Sequence, residues 1–185
     1  MAQLAKDEEY QAKAAALEAE MQVRRQELHA AEQPIVLDLK AVGIEVQSVW
    51  DLVNSSDPYP DALPVLMNHL ELGGYPARVM ESLGRALAVK PSVKFWERLK
   101  SRWLAARNAG EEDGAAVALA ACATKAQVDE LIEFLGVAER GDSRIYFIRP
   151  LLKVGGARGR AVVESLREDS TFGKEASALL KRGAR

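Results

Sequence analysis

The chain has 185 residues and a formal net charge of −2; 48% of its residues are hydrophobic and 28% are charged. This composition is typical of a folded protein and excludes a wholly disordered chain. The single cysteine excludes an internal disulfide framework, and with only two histidines we expect no metal site and no cofactor. No apolar run approaches the roughly 20 residues that cross a bilayer, so we expect no membrane association, no secretory leader and a cytoplasmic location.

The first predicted element is one long polar helix over residues 1–33, which form the first domain and precede Pro34. Apolar residues recur along it at alternating steps of four and three, as in a heptad seam that Arg24 interrupts. So polar a helix gains little from burial alone. Three interpretations stay open: a solvent-exposed helix, docking on the body or a partner, and a homo-oligomer held by Tyr10, Leu17, Met21 and Leu28.

Residues 34–185 are predicted to form a second, helical domain. Gly43 divides its first part into two turns of helix and a longer helix to Asn54, although residues 34–39 could instead form a short strand. Proline and glycine then separate amphipathic segments that we expect to be helices. The segments pair as 61–72 with 76–89, 92–109 with 113–123, 126–135 with 143–154, and 157–169 with 172–182.

The second helices of two pairs share a similar sequence. Residues 151–155 read Leu-Leu-Lys-Val-Gly and residues 179–183 read Leu-Leu-Lys-Arg-Gly, an offset of 28 residues. Repeats in this size range indicate stacked helical hairpins, each of which buries the apolar face of its neighbour.

Two of these segments carry a family resemblance. YPARVMESLGRALAV and DSRIYFIRPLLKVG resemble the inner helices of HEAT-type repeats, with Arg78 and Val79 matching in the first and Arg144 and Ile145 in the second. The similarity covers about residues 60–183; it is weakest in 112–123, and Pro150 departs from the pattern. It implies an all-α fold in which the long helix precedes a short right-handed α-solenoid. The family's proteins are mostly interaction scaffolds, and some bind nucleic acid on a concave basic face.

The candidate contact residues are basic. Lys94, Arg98 and Arg102 recur every four residues on the predicted helix 92–109, beside Phe95, Trp96 and Trp103. Aromatic side chains next to arginine are typical of protein-binding hot spots and of platforms that stack single-stranded nucleic acid. The aromatics could equally be core. Residues 144–185 hold ten basic and four acidic residues, and supply the remaining candidates, Arg149, Lys153 and Arg158.

No residue set in the sequence predicts catalysis. Cys122 lies in a small-residue helix, where we expect a buried, unreactive thiol, and His69 lies beside apolar neighbours, where we expect a half-buried helix position. The sequence therefore favours a non-catalytic adaptor that binds another protein. The alternative is nucleic-acid binding through Lys94, Arg98 and Arg102 together with Arg149 and Lys153.

Overall fold

The computed structural model describes the backbone of residues 2–182 and the side chains of residues 10, 11 and 13–182. Within that part the chain is all-α, as predicted, and the strand considered for residues 34–39 is absent. Residues 183–185, the end of the predicted solenoid, lie outside the described residues. The helices are α1 Ala2–Ala41, α2 Val49–Val53, α3 Ala62–Leu72, α4 Ala77–Ala86, α5 Trp96–Leu104, α6 Ala109–Cys122, α7 Val128–Leu135, α8 Ile148–Val154, α9 Gly156–Ser165 and α10 Gly173–Arg182.

The first helix does not end where the sequence indicated. It passes through Pro34 and continues to Ala41, so the prediction that the helix ends at residue 33 is wrong. A proline inside a helix leaves the carbonyl one turn earlier without its backbone donor, here that of Ala30. Ala30 and Pro34 are both exposed, so water can satisfy that carbonyl. The residues that follow, Ile35 and Leu39, are completely buried and hold the last two turns of α1 on the body.

Polar contacts also fix this docked end of α1. The buried Glu32 carboxylate accepts hydrogen bonds from the Ser48 hydroxyl at 2.7 Å and the Val49 amide at 3.3 Å, at the start of α2. Asp38 lies 2.9 Å from Nε2 of His69 on α3. Residues 34–41 therefore belong to both the long helix and the body.

The predicted helix 92–109 is two elements. Residues Lys90–Phe95 form a 3₁₀ turn with Pro91 near its start, and α5 then ends at Leu104. Asn108 begins the next helix, because its side chain accepts a hydrogen bond from the Glu111 amide. The predicted segment 113–123 therefore starts earlier, at Ala109, and the acidic residues 111–113 lie in the first turns of α6.

Glycines let α4 and α6 approach each other closely. A Cβ atom added to Gly84 would lie 2.2 Å from the carbonyl carbon of Gly114, and one added to Gly110 would lie 2.0 Å from the carbonyl oxygen of Ala77. Such distances leave room only for hydrogen. The small-residue composition of α6 is thus explained by backbone-to-backbone packing.

The helices after α2 contact near neighbours in chain order. The even-numbered helices pack as α4 on α6, α6 on α8 and α8 on α10, whereas α3 contacts α5 and α7 contacts α9. Each even helix also packs on the odd helix before it. The 3₁₀ segment Ala138–Phe147 leads into α8 and packs on α6 and α7.

An aromatic cluster fills the centre. Trp103 lies 4.9 Å from Phe134 and 5.0 Å from Phe147 between ring centroids, and Trp96 stacks on Phe134 at 6.1 Å. All four rings are buried. Pro150, which departed from the repeat pattern, falls in the first turn of α8, where a missing amide hydrogen removes no intrahelical bond.

Candidate interaction surfaces

The structure places Arg98 and Arg102 of the predicted basic stripe on α5 and Lys94 in the 3₁₀ turn before it, and both arginines have carboxylate partners. The Arg98 guanidinium grips the Glu71 carboxylate with two hydrogen bonds of 2.7 and 2.6 Å and lies over the Phe95 ring. Arg102 lies 3.4 Å from the buried Glu111 carboxylate. Lys94 is exposed and lies over Phe95 at 5.0 Å.

The pairing of Arg98 belongs to a longer series, which we call the ion-pair ladder. Glu71 on α3 pairs with Arg98 on α5, Lys100 on α5 pairs with Glu130 on α7 at 2.5 Å, and Asp129 on α7 pairs with Arg158 at the next odd helix, α9. Each pair joins one odd-numbered helix to the next. Much of the basic charge that suggested an anionic partner is therefore neutralised between helices.

The other two basic candidates lie on α8. Arg149 and Lys153 are exposed, one turn apart, and neither has an ion pair among the described residues. Helix α8 packs on α6, α7, α9 and α10, whereas α5 packs on α3 and α6. The two groups of basic residues thus lie on different sets of helices: Arg149 and Lys153 on an even-numbered helix, and Arg98 and Arg102 on an odd-numbered one.

The tryptophans are core residues rather than an exposed platform. Trp103 is completely buried and its indole N–H donates to the Ser143 hydroxyl at 3.0 Å. Trp96 is buried, and its indole N–H donates to Glu130 at 2.9 Å. The interpretation of these rings as core is confirmed; only Phe95, half-buried beneath Arg98, is near the surface.

A second surface, which sequence reasoning missed, runs across α2, α4, α6 and the segment before α8. The elements that carry it pack on one another, α2 on α4, α4 on α6 and α6 on the 3₁₀ segment before α8. The Arg78 guanidinium lies 4.5 Å above the Trp50 ring, Glu81 accepts hydrogen bonds from Arg78 and Arg85, and Arg85 lowers the pKa of Tyr146. Asp113 lies in the field of Arg85, Glu81 and Tyr146. We call this set the α4–α6 face: Trp50, Arg78, Glu81, Arg85, Asp113 and Tyr146.

The charges on this face are unequally compensated. Burial raises the pKa of Glu81, but hydrogen bonds from Arg85 and Arg78 outweigh it and bring the pKa below its ordinary value. Burial raises the pKa of the Asp113 carboxyl, and Glu81 and Glu112 raise it further. Burial and the Asp113 charge likewise raise the pKa of Tyr146. Asp113 is thus a half-buried acid facing more carboxylates than cations.

A cleft of about 420 Å³ adjoins the α4–α6 face. The loop 53–60 forms one wall, and its Tyr59 hydroxyl donates to the carbonyl of Ala86 at 2.9 Å. Leu63, Val89 and Pro91 line the cleft together with Arg85, which belongs to both features. The cleft can accept an apolar side chain beside a charged surface.

His69 and Cys122, the two residues considered for chemistry, are both buried in the body. His69 is buried, with Nδ1 2.7 Å from the Tyr75 hydroxyl and Nε2 2.9 Å from Asp38, so it joins α1 to α3. Burial raises the pKa of the Cys122 thiol to about 11, which disfavours the reactive thiolate, as expected. The part of the chain that the structure describes contains no group of three or more histidine, cysteine or acidic residues placed to hold a metal ion.

Comparison of the chain with protein-family models, with curated proteins and with solved structures finds no match. Among the described residues, no helix has the length and apolar character needed to cross a membrane.

Proposed function

We propose that this chain is a non-catalytic cytoplasmic adaptor, a short right-handed HEAT-like α-solenoid that binds another protein on its α4–α6 face. Two observations support the solenoid: even-numbered helices pack on even-numbered helices, and the ion-pair ladder joins α3, α5, α7 and α9 in order. Both are what stacked hairpins produce, since each unit contacts its neighbours.

The choice of surface rests on the geometry of the α4–α6 face: the Arg78 guanidinium lies 4.5 Å above the Trp50 ring, and Arg85, which donates to Glu81, also lines the adjoining cleft. Asp113 is half-buried on this face, and burial, Glu81 and Glu112 raise its pKa. A partner that brings a lysine or arginine to Asp113 would supply the missing cation in a partly dry site, where an ion pair is stronger than in water.

The residue types on the α4–α6 face support the same choice. Trp50, Tyr146, Arg78 and Arg85 are of the kinds that dominate binding energy at protein interfaces. The adjoining cleft would hold an apolar anchor of the partner, so the proposed ligand is a segment with a cationic and an apolar side chain.

A display selection of linear peptides against the full-length chain tests this proposal. Enriched peptides should contain lysine or arginine next to a bulky apolar residue. Their affinity should fall about tenfold in Asp113→Asn, the equivalent of about 1.4 kcal/mol, and also in Tyr146→Ala. Lys94→Ala, in the 3₁₀ turn before α5 and outside the α4–α6 face, is the control and should bind as the wild type does. Peptides that bind both face variants undiminished would refute the proposed surface.

Nucleic-acid binding is the weaker proposal because Arg98, Arg102 and Arg158 already have carboxylate partners. Phosphate binding would have to break those pairs or rely on Lys94, Arg149 and Lys153. Titration of a fluorescent single-stranded oligonucleotide at low salt decides the matter. Steeply salt-dependent binding that Arg149→Ala and Lys153→Ala weaken would favour nucleic acid over a protein partner.

A further inference from the structure

One mostly apolar stripe, interrupted by Arg24 and Glu32, runs along almost the whole of α1. At 100° per residue, the side chains that form it all lie within 40° of one line along the helix. Its members are Tyr10, Ala14, Leu17, Met21, Arg24, Leu28, Glu32, Ile35 and Leu39. The seam predicted from the sequence and the stripe that docks on the body are therefore the same face of one helix.

The body covers only the second half of this stripe. Leu28 is half-buried against the core, and Ile35 and Leu39 are completely buried. Toward the start of the helix the same face is open: Tyr10 is 75% exposed, Leu17 57% and Met21 38%. The turns from Tyr10 to Leu28, where contact with the body begins, span about 27 Å at 1.5 Å per residue.

We propose that the exposed half of the stripe is covered by the same half of a second copy of this chain, with the two helices antiparallel. In the register we propose, Ala14 lies opposite Leu17 of the partner subunit and Tyr10 opposite Met21 of the partner subunit. Each layer sets a small or flexible side chain against a large one, as seam packing requires. This goes beyond the proposed adaptor function, since it concerns a different surface.

The position of the body fixes the antiparallel orientation. In a parallel, in-register pair, the second helix would run beside residues 28–39 on the stripe side. That space is already filled by the body, which buries Ile35 and Leu39. In the antiparallel pair the second helix begins near Leu28, where the body starts, and its own body lies beyond the other end.

Charges beside the seam fit this register. Lys13 and Glu20 each immediately precede a seam residue, a position that faces its equivalents across an antiparallel pair. The proposed register sets Lys13 opposite Glu20 of the partner subunit, and symmetry makes the contact twice. Sliding the helices by one heptad toward the bodies would instead set Glu20 opposite itself and drive the start of each helix into the other body.

Disulfide trapping tests the orientation. Tyr10→Cys and Met21→Cys, mixed under oxidising conditions with one variant tagged, should give a mixed disulfide dimer, while neither variant alone should give one. Residues 10 and 21 are about 16 Å apart along a helix, too far for a disulfide to form in a parallel pair. The native Cys122 is buried and does not compete. A disulfide dimer of either variant alone, or none in the mixture, overturns the antiparallel pair.

Charge exchange tests the register. Lys13→Glu and Glu20→Lys should each weaken the dimer, because each sets like charges against each other twice. Mixing the two variants should restore association, since both contacts of the mixed dimer are again between opposite charges. The proposed register requires this rescue, so its absence would contradict the register. A parallel pair would not regain all its contacts in the mixture, so full rescue distinguishes the two orientations.

Molar mass measured by sedimentation equilibrium tests association itself. The mass should rise from monomer to dimer between about 10 µM and about 500 µM. Leu17→Lys should abolish the rise, and Leu104→Lys, at another exposed leucine on α5, should leave it unchanged. A monomeric wild type throughout this range, or a dimer that survives Leu17→Lys, refutes the proposal.

Discussion

Single atoms decide how closely α4 and α6 pack. Gly84 packs against the backbone of Gly114 with no space for a methyl group, since an added Cβ would lie 2.2 Å from the Gly114 carbonyl carbon. We predict that Gly84→Ala lowers the free energy of unfolding by about 2–3 kcal/mol, because the methyl group must push the two backbones apart. Urea denaturation measures the change. Gly136→Ala is the matched control: its nearest neighbour, the Glu133 carbonyl oxygen, would lie at 3.3 Å, so its effect should be below about 1 kcal/mol. Equal effects of the two changes would contradict the packing argument.

Whereas Gly84→Ala should destabilise the fold, removal of the Asp113 charge should stabilise it. Its pKa is raised in the folded protein, mainly by burial, so as pH rises the unfolded chain loses this proton first and the folded state becomes relatively less stable. We predict that Asp113→Asn raises the melting temperature at pH 7. The corresponding gain in the free energy of unfolding should stay below about 1 kcal/mol, because solvent screens the half-buried charge. The gain should shrink as pH falls toward 3.8, the ordinary pKa of the side chain. A lower melting temperature at pH 7 would show that Asp113 stabilises the fold.

At the scale of helices, the ion-pair ladder should stabilise the fold more at high pH than at low pH, the reverse of the effect of Asp113. The hydrogen bonds from Arg98 lower the pKa of Glu71, so the pair stabilises the fold above the ordinary pKa of 4.5 and its contribution is lost as pH falls below that value. In a double-mutant cycle at pH 7, we expect Arg98→Ala and Glu71→Ala to couple by about 0.5–1 kcal/mol.

The cycle repeated at pH 3 should give a smaller coupling than at pH 7, because protonation of Glu71 removes the ion pair. The control cycle uses Arg160 and Glu164, an exposed pair within α9, whose coupling should not exceed about 0.5 kcal/mol. A coupling between residues 71 and 98 no larger than this control would mean that the ladder does not hold α3 against α5.

Local signals in the sequence predicted the helices whose ends depend on local chemistry. The Gly73-Gly74 turn ends α3 and the Lys90-Pro91 step follows α4, because glycine and proline act on the backbone where they stand. Pro34 misled the prediction, because Ile35 and Leu39, buried by distant parts of the chain, hold the helix together beyond it.

The candidate surfaces were harder to predict for the same reason. The i, i+4 spacing of Lys94, Arg98 and Arg102 correctly placed Arg98 and Arg102 along one helix, α5, but Lys94, predicted on the same helix, lies in the 3₁₀ turn before it. It gave no sign that Glu71, 27 residues earlier, would neutralise Arg98. Nor could spacing reveal the α4–α6 face, whose residues come from four separate segments that meet only in the folded chain.

At the scale of the whole molecule, α1 has one half that stabilises the body and one half that does not touch it. A chain that begins at residue 25 keeps Leu28, Ile35, Leu39 and the Glu32 cap of α2, so we predict a melting temperature within a few degrees of the full chain's and no dimer.

A chain that begins at residue 43 loses these contacts together with the Asp38–His69 bond. Burial of each large aliphatic side chain contributes about 1.5–3 kcal/mol, so this second loss is comparable to the total stability of a small domain. We expect the shorter chain to be largely unfolded by circular dichroism and thermal melting. If it instead melts cooperatively near the temperature of the full chain, the last two turns of α1 are an appendage rather than part of the core, and residue 33 was the right boundary after all.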